Sequence, residues 1–114
     1  MIRVILRRHG ISGVRVYANR LRWLRERLIP SFPYQDRRCA RGCAHCKQQH
    51  VGRDRRESTQ VIYIGDGRSD LCAAEQADGV FAKGNLLDYL RSARQPCRAF
   101  QSLADVYDDL KECL

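Results

Sequence analysis

Hydrophobic and polar positions fall into two regimes along this chain. From Val61 onward the pattern is regular. "TQVIYIGD" is a continuous apolar run closing on Gly65 and Asp66, the pattern of a strand buried in a parallel sheet. "RSDLCAAEQA" then reads as a helix whose alanines allow close packing, and "GVFAK" reads as a short strand. "NLLDYLRSAR" predicts a helix capped by Asn85 and stopped ahead of Pro96. "SLADVYDDLKECL" predicts a final helix capped by Ser102, with Asp105 at the third position as in a capping box.

Before Val61 the pattern is looser. Ile2, Val4, Ile5 and Leu6 alternate with arginines ahead of Gly10, which predicts a short amphipathic helix with a glycine stop. "GVRVYAN" alternates and is rich in β-branched residues, so a strand is expected over Gly13–Asn19. "RLRWLRERLIPSFPY" fits either a helix from Leu21 to Leu28 or two short strands around Arg25–Arg27. Pro30 and Pro33 forbid a long helix and favour the hairpin. "QDRRCARGCAHCKQQHVGRDRRES" is polar and glycine-punctuated, becoming helical from about Ala44. Strands alternating with helices predict an α/β fold with a mostly parallel sheet, and no repeat or low-complexity linker divides residues 1–114 into more than one domain.

Length and composition add limits. A chain of 114 residues builds one small core. No apolar run approaches the ~20 residues that span a bilayer. The arginine-bearing N-terminus has too short an apolar stretch, with no small-residue cleavage site after it, for a signal peptide, so a cytoplasmic protein is the expectation. The formal charge of +8 is unevenly spread. Residues 1–60 hold 15 of the 21 basic and 4 of the 13 acidic residues, a net +11, whereas residues 61–114 carry −3. The arginines are interspersed with apolar residues rather than blocked, and no base-reading motif accompanies them, so nucleic acid is not the expected partner. Positive potential equally suits a phosphorylated small molecule.

The candidate chemistry sits in "VIYIGDGRSD". In open α/β sheets ligands gather beyond the carboxyl ends of strands, where Asp66 is placed. Gly65 and Gly67 free the backbone to turn and to approach a ligand closely. Asp70 follows four residues later, near a helix start, so both carboxylates can face one spot. Two such carboxylates form a hard-oxygen site suited to Mg²⁺ and a substrate phosphate. The plainer reading is a turn and a helix cap.

"VIYIGDGRSDLCAAEQADGVFAKGNLLDYL" closely resembles the fourth motif of haloacid dehalogenase (HAD) superfamily phosphatases. "GCAHCK" resembles the segment carrying the motif-three lysine in the phosphoserine-phosphatase-like branch. "ILRRHGI…V.ANRL……FPY.D..C" is similar to the methylthiopentenyl-phosphate-phosphatase-like branch. The resemblance implies a metal-ligating Asp66, an Asp70 that ligates or holds a metal-bound water, and a catalytic Lys47 that neutralises phosphate charge. Such a role suits the compact charge of a lysine.

The family's nucleophile motif, DxDx[TV], is not found in these 114 residues; "DVYDD" imitates it only within a predicted helix. The phosphate-binding Ser or Thr of motif two is likewise missing, and in the family it falls just before the helix that resembles "IRVILRRHG". The resemblance therefore implies a C-terminal half: a partial Rossmann-like three-layer sandwich with its central first strand missing. Val61–Ile64 would then keep an unpaired apolar edge, favouring self-association or a complementing N-terminal half. Such a chain is expected to be inactive alone.

Cys39, Cys43 and Cys46 have zinc-like spacing, with a fourth ligand needed from His50 or from afar. The alternative is that they are reduced thiols. The competing functional reading is a non-catalytic basic binding module, zinc-stabilised, contacting nucleic acid or a partner chain.

Overall fold

The computed structural model describes residues 1–57 and 60–113; Ser58, Thr59 and Leu114, which lie at ends of predicted segments, fall outside the described residues. The chain opens with α1 (Ile2–Arg8), stopped at Gly10, whose φ of +67° ends the helix as expected. None of its residues is buried. The two prolines decide the next segment as anticipated. β1 (Arg20–Leu24) and β2 (Arg27–Ser31) form an antiparallel hairpin with Leu24 opposite Arg27. Arg25 takes the left-handed φ of +54° that a two-residue loop demands.

The remaining elements are α2 (Gln48–Glu57), β3 (Ile62–Gly65), a 3-10 turn (Arg68–Asp70), α3 (Leu71–Ala74), β4 (Gly79–Ala82), α4 (Gly84–Ser92), β5 (Arg98–Ala99) and α5 (Leu103–Cys113). β3, β4 and β5 form a parallel sheet in that order, with Ile64 beside Phe81 and Phe81 beside Arg98. Alternation along β4 splits the core between its two faces. Val80 and Ala82 pack with Leu71, Ala74, Leu86 and Leu90 of α3 and α4. Phe81 turns the other way, onto Phe100, which follows β5, and onto Val106 of α5. Helix, sheet and helix thus form three layers. The predicted cap of α5 is realised: Asp105 accepts from the Ser102 amide at 2.8 Å, and the Asp105 amide donates to the Ser102 hydroxyl at 3.4 Å.

Four expectations need correction. Gly13–Asn19 is not a strand; its side chains bond instead to α2, Arg15 to Glu57 and Tyr17 stacked on His50. The helix expected from Ala44 starts at Gln48, because the Cys46 amide is spent on the Tyr34 carbonyl. α4 begins two residues early, at Gly84, so Lys83 rather than Asn85 stands at the cap position. The run Val61–Ile64 is not buried as its apolar pattern suggests; β3 is an edge strand, keeping the free apolar edge that the half-domain reading expects, with Ile62 and Ile64 41% and 40% exposed. A groove of about 460 Å³ lies between α1 and β3, lined by Ile2, Leu6, Lys47, Val51, Ile62 and Tyr63.

Candidate functional site

β3 ends at Gly65, and its register with β4 brings the start of α4 alongside the loop that follows. The Lys83 amide donates to the Gly65 carbonyl at 3.2 Å, and the Leu86 amide to the Asp66 carbonyl at 3.2 Å. Gly84 holds a φ of +54°, and a Cβ there would meet the Asp66 carbonyl oxygen at 3.0 Å. The loop carrying Asp66 is therefore pinned by backbone bonds on one side and by a glycine-sized gap on the other.

Asp70 is the hub of the site. It is buried, at 4% exposure. One carboxylate oxygen, Oδ2, accepts the amides of Asp66 and Gly67, both at 3.0 Å. The other, Oδ1, accepts the Tyr63 hydroxyl at 2.7 Å and is ion-paired with the Lys47 ammonium. Burial pushes the Asp70 carboxyl up, but the bonds from Lys47, Gly67, Tyr63 and Asp66 outweigh it and hold the group below its ordinary value. Tyr63 moves the other way: burial, then its bond to Asp70, raise its hydroxyl. Gly65 is required here for space, since a Cβ on it would lie 2.8 Å from Asp70 Oδ2. A Cβ on Gly67 would meet nothing closer than 3.8 Å, so Gly67 is not needed for the same reason.

The structure thus brings Lys47, Asp70 and the Asp66 loop together. It also separates the two aspartates by role. Four donors fill the lone pairs of Asp70, whereas the exposed Asp66 carboxylate accepts no hydrogen bond among the described residues. Asp66 still acts electrostatically on the Tyr63 hydroxyl. Sequence reasoning missed Tyr63 and Gly84. The first was legible as the residue of "VIYIG" whose side chain alternates onto the α3–α4 face; the second was hidden in its own backbone angle.

The thiols gather beside this site. Cys39, Cys46 and Cys72 have sulfurs within 4.8 Å of one another, and Cys43 Sγ is 4.0 Å from Cys72 Sγ. His50 does not join them; its Nε2 faces His45 Nε2 at 2.8 Å, between the rings of Tyr17 and Tyr34. Cys72, which the sequence pattern left scattered, is brought in by α3.

Comparison with known proteins gives this site a context. No protein-family model matches the chain. It is 32% identical over 105 residues to a 2-hydroxy-3-keto-5-methylthiopentenyl-1-phosphate phosphatase of Bacillus cereus strain AH187, spanning 91% of this chain and 48% of that protein. It is 31% identical over 98 residues to the protein of that name from Bacillus cytotoxicus, spanning 85% and 45%. This chain is a relative of HAD-type phosphatases. It spans about half the length of the curated relatives it matches, which is consistent with a C-terminal portion of such a protein. Among the described residues no helix is long and apolar enough to cross a membrane.

Proposed function

We propose that this chain is the lysine- and metal-bearing portion of a Mg²⁺-dependent phosphomonoester hydrolase, incomplete and inactive by itself. The observation that carries the reading is the Asp70 hub, which fixes Lys47 to the loop presenting Asp66. The donor set fits a hard cation: a carboxylate that accepts no hydrogen bond among the described residues stands at a strand end, on a loop whose Asp66 and Gly67 amides are held by Asp70. Asp66 would hold Mg²⁺, and the ion would supply charge neutralisation for a phosphoryl group. Of the two roles the resemblance allows Asp70, holding the site in place is the one its hydrogen bonds support. Asp70 takes the Lys47 ammonium as partner, which keeps that charge oriented at the loop rather than loose in solvent. Phosphoryl transfer depends chiefly on such positioning and electrostatic stabilisation.

The nucleophilic aspartate is proposed to come from the remainder of a longer protein or from a complementing chain. Its strand would fill the groove between α1 and β3 and pair with the free edge of β3. The half-length match to the relatives and the exposed Ile62 and Ile64 support this placement. A cytoplasmic location belongs to the same reading, in keeping with six cysteines of which none is in a disulfide. The substrate would be a phosphorylated small molecule, its identity read by the part of the protein outside this chain.

The test is a phosphatase assay with Mg²⁺ and an aryl phosphate. The isolated chain should show no turnover. A polypeptide extended upstream through an in-frame DxDx[TV] segment should be active and should lose that activity in Asp66→Ala. Turnover by the isolated chain that Asp66→Ala abolishes would overturn the claim of incompleteness. An extended protein that is folded but inert would overturn the phosphatase reading itself.

A further inference from the structure

We propose that Cys39, Cys43, Cys46 and Cys72 form a structural Zn²⁺ site that clamps the Lys47 loop onto α3. The geometry makes the case. Four sulfurs bound to one zinc at about 2.3 Å in a tetrahedron lie about 3.8 Å from each other. Cys39, Cys46 and Cys72 have sulfurs within 4.8 Å of one another, those of Cys39 and Cys72 being 3.7 Å apart, and Cys43, outside that trio, completes the set with its Sγ 4.0 Å from Cys72 Sγ. Sulfurs of a disulfide would be about 2.05 Å apart, so these are thiols gathered around a point rather than bonded in pairs. Cys72 stands at the centre of these contacts, which is why the run of three cysteines looked incomplete in sequence.

A second feature is independent of the spacing. Cys46 and Cys72 are buried at 2% and 4% exposure, and Cys39 and Cys43 are half-buried, so the site is closed on the protein side. Binding would release the four thiol protons to solvent and leave a net charge of −2 on the centre. Arg41 is placed to offset it, with Nη1 3.5 Å from Cys72 Sγ while its fork also holds Glu75.

The consequence is positional. Cys46 directly precedes Lys47, and Cys72 follows Asp70 by two residues. A metal shared by Cys46 and Cys72 fixes the two backbones whose side chains meet in the Lys47–Asp70 pair. This inference does not depend on the phosphatase reading and is read without activity.

The full chain, purified without chelator, should carry one zinc per chain by elemental analysis and release it to a mercurial thiol reagent. Replacing zinc with Co²⁺ should give sulfur-to-cobalt charge-transfer bands and the intense visible bands of a tetrahedral four-thiolate site. Cys72→Ser should weaken and alter that spectrum, while Cys97→Ser and Cys113→Ser leave it unchanged. If Cys72→Ser precipitates, the wild-type cobalt spectrum decides: a four-thiolate spectrum supports the site, and a mixed nitrogen or weak octahedral spectrum overturns it. Metal-free folded protein, bound iron in place of zinc, a disulfide among the four, or a Cys72→Ser spectrum identical to wild type would each also overturn it.

Discussion

The hairpin and the β4 sheet both carry large apolar side chains, the hairpin's interleaved with arginines, yet they end up in opposite environments. Leu21, Trp23 and Leu24 of β1 are 64%, 74% and 64% exposed, whereas Leu86 and Ala82 around β4 are fully buried. Both regions satisfy their backbone hydrogen bonds locally. What differs is whether a second layer covers them. β4 has α3 and α4 on one face and α5 on the other; the hairpin and α1 contribute no residue to the buried core. Secondary structure can therefore be specified without burial, but the hydrophobic contribution to stability comes only where layers meet. Many of the exposed large apolar side chains lie with α1, the hairpin and the free edge of β3, while Leu103 and Tyr107 of α5 are exposed as well.

The sharpest way to break that contrast is a pair of truncations. Leu86→Ala should cost roughly 2–5 kcal/mol, as large-to-small changes in a packed core do. Trp23→Ala should stay within about 0.5 kcal/mol, as expected for an exposed site. Urea unfolding of both variants checks this, and equal losses would mean that the hairpin is covered in solution.

A smaller effect separates the two aspartates. Asp70→Asn should destabilise by roughly 1–3 kcal/mol, because it replaces a buried carboxylate that accepts four donors and leaves Lys47 without its charge partner. Asp66→Asn, at an exposed carboxylate without protein donors, should leave the unfolding midpoint within error of wild type. Loss at both positions would show that Asp66 has a structural partner. Gly65→Ala should cost of the order of 1–3 kcal/mol by driving a Cβ into Asp70. Gly67→Ala, with ordinary contact distance around it, serves as the comparison in the same denaturation series.

The smallest effect is in acid. Asp70 has a folded value below its unfolded one, so its contribution is fully present above the unfolded value of about 3.9 and is lost as pH falls through the folded one. Stability should drop on that descent in wild type, and the drop should be shallower in Asp70→Asn. Thermal unfolding followed from pH 5 downward measures it; identical acid limbs would remove Asp70 from the account.

The legible parts of the fold share a property. Gly10, the Pro30 and Pro33 pair, Ser102 with Asp105, and the Gly65–Asp70 spacing all act on residues within one or two turns of themselves. The misread parts depended on distant partners. "GVRVYAN" has strand chemistry but found α2 rather than another strand beside it. Ala44–Cys46 has helix-compatible residues, but the Cys46 amide met the Tyr34 carbonyl first. Val61–Ile64 reads as a buried strand from its composition; its free edge, with only β4 paired to it among the described residues, was legible only through the family resemblance and not from the run itself.

The amino-acid order alone determined where the chain turns, where its helices stop, and that Asp66 and Asp70 flank a sharp loop at the end of an apolar strand. These follow from backbone angles, caps and periodicity, which act over a few bonds. Only the tertiary structure decided that Asp70 is buried and saturated while Asp66 is free, that Tyr63 and Lys47 share one oxygen, and that Cys72 joins thiols about thirty residues upstream. Those outcomes rest on which surfaces exclude water together, and burial of that kind has no signature at any single position.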